Sequence, residues 1–232
     1  MISIVIPVLN EEHTIIELLD GLSERASASH ITEVIIVDGG SDDQTLSLLE
    51  NYRLGFPLKI IHAPKGRAKQ MNKGAGIAQG KILYFLHADT LPPKTFDKQI
   101  TEAIHHGNDA GCFRMKFDSP HPVLKISQWF TRFNHRSCRG GDQSLFMKKE
   151  VFESLNGYNE TFIVYEDCEL INRIYDRYQF VVLKDYVTTS ARRYQANGTL
   201  KLQYHFAVIH LKKWMGASPD RLFAYYQKHI AS

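Results

Sequence analysis

The chain has 232 residues, 44% hydrophobic and 23% charged, a composition that can bury a proper core and excludes a disordered segment. A formal charge of +3 is too small for a nucleic-acid-binding surface, although local basic clusters at Lys65/Arg67/Lys69 and Arg192/Arg193 suit a small polyanion such as a diphosphate. Cys112, Cys138 and Cys168 are odd in number, far apart and without CxxC spacing, which excludes a disulfide framework or structural zinc site and suits a reducing cytoplasm.

The N-terminus, MISIVIPVLNEE, has no basic leader and breaks its apolar run with Pro7, Asn10 and two acids, so it reads as a strand and not a signal peptide. The continuous run Ile2–Pro7 suits a parallel strand covered on both faces. A helix starting at Asn10–Glu12 carries Ile15, Ile16, Leu18, Leu19 and Leu22, and the second strand is Val34–Asp38, closed by a Gly-Gly-Ser turn. Strands at Leu58–His62 and Ile82–His87 follow, with a helix over Gln70–Ala78 between them. Pro92-Pro93 opens a helix over Thr95–His105, then come a strand at Ala110–Lys116 and an aromatic-rich helix around Leu124–Phe133. Gly140-Gly141-Asp142 precedes a strand-like Gln143–Met147, a helix at Lys149–Leu155, a turn at Asn156-Gly157 and a helix from near Asp167. Phe180–Leu183 reads as a late strand, Arg192 and Arg193 as part of a polar loop, and Lys201–Met215 as a C-terminal amphipathic helix. No stretch approaches the ~18 apolar residues that cross a bilayer. The length suits one α/β domain over 1–232, with an α/β first part at 1–92, a looser part at 93–195 and a helical segment at 196–232.

In open α/β sheets ligands collect outside the carboxyl ends of the strands. Those ends carry Asn10-Glu11-Glu12, Asp38-Gly39-Gly40-Ser41-Asp42-Asp43 and His87-Ala88-Asp89. Each cluster alone suits helix capping. Three together need a cation or hydrogen-bond donors, and Asp89 beside His87 offers oxygen and nitrogen ligands for Mg²⁺ or Mn²⁺, completed by substrate phosphate. The run Gly74–Gly80 is not a dinucleotide fingerprint, because it does not directly follow a strand and its third glycine falls one position late. The acidic run from Asp38 is not an EF-hand, because Leu49 stands where the bidentate Glu is required.

SIVIPVLNEE, EVIIVDGGSDDQT and FLHADTLPP resemble the opening motifs of glycosyltransferase family 2, and GGDQSLF and YEDCELINRI resemble its acceptor-side segment and Glu-Asp motif, a likeness covering roughly residues 2 to 195. The resemblance implies a GT-A fold, that is, a Rossmann-like, mostly parallel sheet flanked by helices. It also implies an inverting mechanism and a UDP- or GDP-sugar donor, with Pro7, Leu9, Glu11 and Asp38 embracing the nucleoside. Asp89 falls on the second aspartate of the DxD metal motif, with Ala88 before it, and Asp167 on the general base. Two motifs depart from the family's usual form: VDDGS reads VDGGS, with Gly39 for the second acid, and DxD reads His87-Ala88-Asp89. The variants HADT, VDGGS, GRAKQMNKGA and SARRYQANG resemble a bacterial branch of the family.

Arg67 can reach phosphate with its planar donor fork, Asn72 can add a hydrogen bond, and Arg192 and Arg193 can fold over the diphosphate. Asp142, Gln143 and Glu166 are candidates for holding acceptor hydroxyls. The acids Glu166, Asp167 and Glu169 also suit a helix N-terminus with no function at all; the family motif favours Asp167 as base. The acceptor is a hydroxyl compound, lipid-linked if the C-terminal helix rests on a membrane's inner face; simple docking of that helix onto the core is the competing expectation. A sugar nucleotidyltransferase is the rival enzyme, but it would place a glycine-rich basic loop where Leu9-Asn10-Glu11-Glu12 stands. A catalytically silent nucleotide-binding protein is the rival from another class, and donor hydrolysis or transfer excludes it.

Overall fold

Seven consecutive buried residues, Ile2–Val8 (β1), form a central strand whose run shows no alternation because both faces are covered. The computed structural model describes residues 1–230. β1 pairs in parallel with β2 (Ile31–Asp38) on one side and β4 (Ile82–Phe85) on the other, and β2 pairs in parallel with β3 (Leu58–His62). Ile4, Ile6 and Ile36 join one core layer with Leu18, Leu19 and Leu22 of α1 (Ile15–Arg25). Val5, Ile35 and Val37 point into a second layer with Ala68, Met71 and Ala75 of α3 (Arg67–Ile77). Truncating a buried Leu or Ile here to Ala would cost about 2–5 kcal/mol.

The second half brings antiparallel pairing. β7 (Leu145–Lys148) runs antiparallel to both β4 and β6 (Ala110–Phe117), β8 (Phe180–Thr189) runs parallel to β6, and β5 (Thr90–Leu91) pairs antiparallel with β8. The eight strands stand in the order β3-β2-β1-β4-β7-β6-β8-β5. The sheet is thus parallel by a narrow majority, and each antiparallel pair includes β7 or β8. Flanking it are α2 (Thr45–Glu50), α4 (Phe96–His105), α5 (Pro122–Phe130), α6 (Lys149–Ser154), α7 (Glu166–Arg177), α8 (Arg192–Asn197), α9 (Thr199–Trp214) and α10 (Pro219–His229).

Several expectations change in the structure. β4 stops at Phe85, where its pairing with β1 and β7 ends, so His87 and Asp89 lie in the connection to β5 and not on the strand. α5 begins earlier, at Pro122, with the His121 ring accepting from the Val123 amide; it ends where the Thr131 hydroxyl takes the Gln128 carbonyl. β8 runs on through Thr189 because β6 stays beside it across a register shift at Phe113/Arg114, despite the polar Lys184-Asp185. Arg192 and Arg193 open a short helix instead of lying in a loop. The C-terminal region holds two helices: α9 begins before Lys201, and α10 follows a Ser218 cap with Pro219 at its first position. Leu202 and Ile209 of α9 are buried, so that helix does dock on the core.

Candidate functional site

The carboxyl ends of β1 and β4 face a cleft of about 1560 Å³. Its donor side is formed by Pro7, Leu9 and Glu11 after β1 and by Lys65, Gly66 and Arg67 at the start of α3. The loops after β1 and β2 are stitched together: the Asn10 side chain donates to Asp42 and accepts from its amide, and Asp43 accepts from the amides of Glu12 and Thr45. Glu12 in turn accepts from the Gln44 amide, and the Glu11 amide donates to the Thr45 hydroxyl. Asp38 is buried and accepts from the Gly40 and Ser41 amides and the Ser41 hydroxyl; burial opposes its charge, but these donors and His62 hold its pKa below the ordinary value. Two of the three acidic clusters are therefore satisfied largely by backbone donors, which is the capping chemistry expected of each alone.

Gln70, on the second turn of α3, lines the same side and was not singled out in the sequence. Its amide nitrogen donates to the Val8 carbonyl at 2.8 Å and the Val37 carbonyl at 2.7 Å, tying the ends of β1 and β2 together. A Cβ on Gly39 would stand 3.0 Å from this carboxamide. That contact gives a physical reason for glycine where VDDGS has an acid. A buried glutamine at a core-facing position between Ala68 and Met71 was the available sequence signal.

Across the cleft, Glu166 and Asp167 form the first turn of α7, launched by Tyr165 in a left-handed conformation (φ 74°). Both acids are buried. Glu166 faces the Arg67 guanidinium at 3.6 Å, and His87 lies between Asp167 at 3.8 Å and Asp142 at 3.9 Å. Burial, followed by the neighbouring Glu166 charge, pushes the Asp167 pKa up to about 6 against the opposing pull of His87 and Arg67. Burial likewise raises Glu166, with Arg67 opposing. On Arg67 itself burial works against the charge, but Glu166, Asp167, Asp142 and Asp89 outweigh it and raise its pKa. Gly141 makes this packing possible, since a Cβ there would fall 2.1 Å from an Asp167 carboxylate oxygen and 3.0 Å from the His87 ring. The buried Tyr158 hydroxyl, also not anticipated, has no hydrogen-bond partner among the described residues; burial first, then the charge of Asp167, raises its pKa.

Arg192, at the start of α8, reaches both Glu11 oxygens at 2.6 and 2.7 Å and Asp89 at 3.5 Å. Arg193 donates to the Tyr226 hydroxyl at 2.8 Å and lines the cleft. His87, Asp89, Asp142 and Arg67 share a recess of about 30 Å³ beside it. Among the described residues no three His, Cys, Asp or Glu side chains converge into a ready-made cage for a metal. His87 turns its nitrogens to Asp142 and Asp167, and Asp89 turns to Arg192, so the two do not meet as an isolated ligand pair. A carboxylate in an ion-sized recess next to a wide cleft still fits Mg²⁺ or Mn²⁺, which take one or two carboxylates and complete their shell with water and substrate phosphate.

Three expected contacts are spent elsewhere. Asn72 donates to the Tyr158 carbonyl and to Glu160, and accepts from the Tyr158 amide, so it ties α3 to the 158–160 segment and is not free for nucleotide. Ala88 is packed in the core. Gln143 accepts from Arg139 at 2.7 Å and donates to the Cys138 carbonyl at 2.8 Å. It holds the buried Arg139, whose guanidinium also donates to the Thr131 and Phe133 carbonyls, and so shapes the cleft wall. Asp38 is held within its own turn by the Gly40 amide and the Ser41 hydroxyl.

A family model described as Glycosyl transferase family 2 matches residues 3–177. TarS of Staphylococcus aureus, a poly(ribitol-phosphate) beta-N-acetylglucosaminyltransferase, is 31% identical over 118 residues, 49% of this chain and 21% of that protein. GgaB of Bacillus subtilis, a minor teichoic acid biosynthesis protein, is 22% identical over 192 residues, 74% of this chain and 21% of that protein. The chain thus corresponds to about a fifth of the length of these relatives. Among solved structures, S. aureus TarS 1–349 in complex with UDP-GlcNAc has a TM-score of 0.67 at 21% identity, over 82% of this chain and 58% of that one. Mannosyltransferase PcManGT from Pyrobaculum calidifontis, in complex with GDP-Man and Mn²⁺, has a TM-score of 0.72 at 18% identity, over 99% of this chain and 68% of that one. The architecture is the GT-A fold.

Proposed function

Because the chain belongs to glycosyltransferase family 2, we propose that it transfers a sugar, with inversion, from a nucleoside-diphosphate sugar to a hydroxyl acceptor. The observation that carries this reading is the buried Asp167, its pKa pushed up to about 6, facing a cleft whose opposite side holds Arg67 and the β1 loop. The chain works as one domain with two faces, a donor half over 1–92 and an acceptor half over 93–195, joined by the β4–β7 pair of the sheet and followed by the helices of 196–232.

In the reaction, the acceptor oxygen attacks the anomeric carbon as its proton passes to an Asp167 oxygen, and the bond from that carbon to the phosphate oxygen breaks. One displacement inverts the centre. Asp167 is suited to this because a pKa near 6 leaves it mostly ionised at neutral pH yet more basic than an ordinary aspartate. Pro7, Leu9 and Glu11 bound the nucleoside side, with Gln70 behind them. Arg67 and the N-terminus of α3 suit the diphosphate, as do Arg192 and Arg193 from α8. When bound at Asp89, with His87 beside it, Mg²⁺ or Mn²⁺ would supply Lewis-acid neutralisation of the leaving diphosphate. Glu166 and Asp142 are placed for acceptor hydroxyls. The relatives' UDP, UDP-GlcNAc and GDP-Man ligands support a UDP- or GDP-sugar donor here. The cleft's outer part, with Phe130, Ile163, Phe206 and Phe223, suits an acceptor bearing an apolar group, such as a lipid-linked one. Three free cysteines fit a cytoplasmic setting.

The test is a panel of UDP- and GDP-sugars with and without Mn²⁺, read by release of nucleoside diphosphate and by thermal stabilisation, which a native-state ligand produces by mass action. Metal-dependent stabilisation by one nucleotide class, with slow hydrolysis of its sugar, is expected. No stabilisation and no release across the panel would remove the proposal.

A further inference from the structure

α9 is apolar on two sides. Leu202 and Ile209 are buried against the core, while Leu200, Tyr204, Leu211, Trp214 and Met215 are exposed. Leu200 and Tyr204 stand four residues apart near its start, and Leu211, Trp214 and the capping Met215 follow seven residues on at steps that keep them on the same side of the helix. α5 and the turn after it are similar: Ile126, Trp129 and Phe130 of the helix and Phe133 beyond it are exposed, with Trp129 45% and Phe130 49% open to solvent, and Trp214 of α9 is 84% open. The two helices are neighbours, Gln203 of α9 donating to the Ser127 hydroxyl of α5 at 3.4 Å. Both border the mouth of the cleft, which Phe130, Phe206 and Ala207 line. So much contiguous exposed apolar surface marks a docking face.

Charge identifies what docks. Residues 119–141 contain Lys125, Arg132, Arg136 and Arg139 and no carboxylate, and residues 186–219 contain Arg192, Arg193, Lys201, Lys212 and Lys213 and no carboxylate. Lys125, Arg132, Lys201, Lys212 and Lys213 make no salt bridge among the described residues, whereas Arg136 pairs with Asp176. Arg132 lies over the Trp129 ring at 4.9 Å, which keeps that cation beside an exposed aromatic, while Lys213 lies over the buried Phe162 at 4.7 Å and Lys212 over the half-buried Tyr225 at 5.0 Å. Exposed Trp, Phe and Leu rimmed by unpaired Lys and Arg match the interface of an anionic bilayer: the rings suit the headgroup boundary and the cations the lipid phosphates.

We propose that the face built by α5 and α9 docks on an anionic phospholipid membrane, setting the mouth of the cleft against the lipid surface. This rests on the surface alone and not on the donor or acceptor assigned above, so it survives or fails separately from the transfer reaction.

The experiment uses the full chain and vesicles of phosphatidylcholine with or without phosphatidylglycerol. Trp129 and Trp214 are the only two tryptophans, one on each helix, so intrinsic emission reports the face directly. Flotation only with phosphatidylglycerol is expected, with a blue shift that persists in both Trp129→Phe and Trp214→Phe. The pair Lys212→Glu and Lys213→Glu should weaken partitioning by at least about tenfold, given roughly fivefold for each basic residue near the surface. Trp129→Ser with Phe133→Ser should do the same while leaving the melting temperature and hydrolysis of a water-soluble donor unchanged. Three outcomes would each overturn the proposal: no flotation on anionic vesicles, flotation without an emission change, or a concentration-dependent blue shift without lipid accompanied by dimer elution. The last would assign the face to a second copy of the chain.

Discussion

Replacing Asp167 with Asn separates a base from a helix-capping acid. Burial and Glu166 move the carboxyl from an ordinary 3.8 to about 6 in the folded protein. The folded state therefore holds this proton more tightly than the unfolded chain. The associated stability is fully present below about pH 4 and is lost as pH rises through about 6. A shift of roughly two units corresponds to about 3 kcal/mol, the cost of keeping Asp167 ionised at pH 8. Asparagine removes that cost, so Asp167→Asn should melt higher than the parent at pH 8, by about 6–12 °C at 2–4 °C per kcal/mol for a chain this long. The gain should fade towards pH 4. Transfer should fall by about 10²–10⁴-fold, because the amide cannot take the proton, while nucleoside-diphosphate affinity stays within a few-fold. Parental turnover should itself decline below about pH 6. Scanning fluorimetry at several pH values, product formation and calorimetry on one variant test every step. A variant as active as the parent would end the assignment of Asp167 as base; a melting difference indifferent to pH would end the argument from burial.

Asp89→Ala should abolish the Mg²⁺ or Mn²⁺ dependence of nucleoside-diphosphate binding, measured by calorimetry with and without chelator; equal dependence in both proteins would move the metal elsewhere. Gly141→Ala should cost about 1–3 kcal/mol by overpacking and depress transfer, since its methyl would displace the Asp167 carboxylate; a urea melt and a rate assay check both. Gln70→Leu should destabilise by about 2 kcal/mol or more, because the Val8 and Val37 carbonyls each lose a buried donor, again read by urea melting. Gly39→Asp should weaken folding through collision with Gln70, and adding Gln70→Ala should recover part of the loss.

The first part of the sheet was legible because Ile2–Val8 and Val34–Val37 within β2 are unbroken apolar runs buried on both faces, which announces a parallel sheet; β3, Leu58–His62, is only half-buried. The rest of the sheet was harder for a physical reason. β5 is two residues long, and β8 carries Lys184-Asp185 at exposed positions, so neither shows a strand's period. α10 was missed although Ser218-Pro219-Asp220 is a well-formed helix start. At the site, residue types pointed to Glu166, Asp167 and Arg67, but which polar groups were already spoken for depended on distant partners. Asn72 binds a segment 86 residues away and Glu11 an arginine 181 residues away, and no local pattern encodes either.

Tyr165 carries a further consequence. A bulky residue held at φ 74° costs about 1–2 kcal/mol, and it sits immediately before the two acids of the α7 first turn. Its ring meets the His210 ring of α9 edge-on at 5.0 Å. The strained link therefore behaves as a cocked spring between Asp167 and a helix outside the donor half. A movement of α9 would reach Asp167 through Tyr165, two residues along the backbone. The setting of the Asp167 carboxylate is thus tied to a helix near the other end of the sequence, so substitutions along α9 offer a way to alter it without touching the cleft's acids.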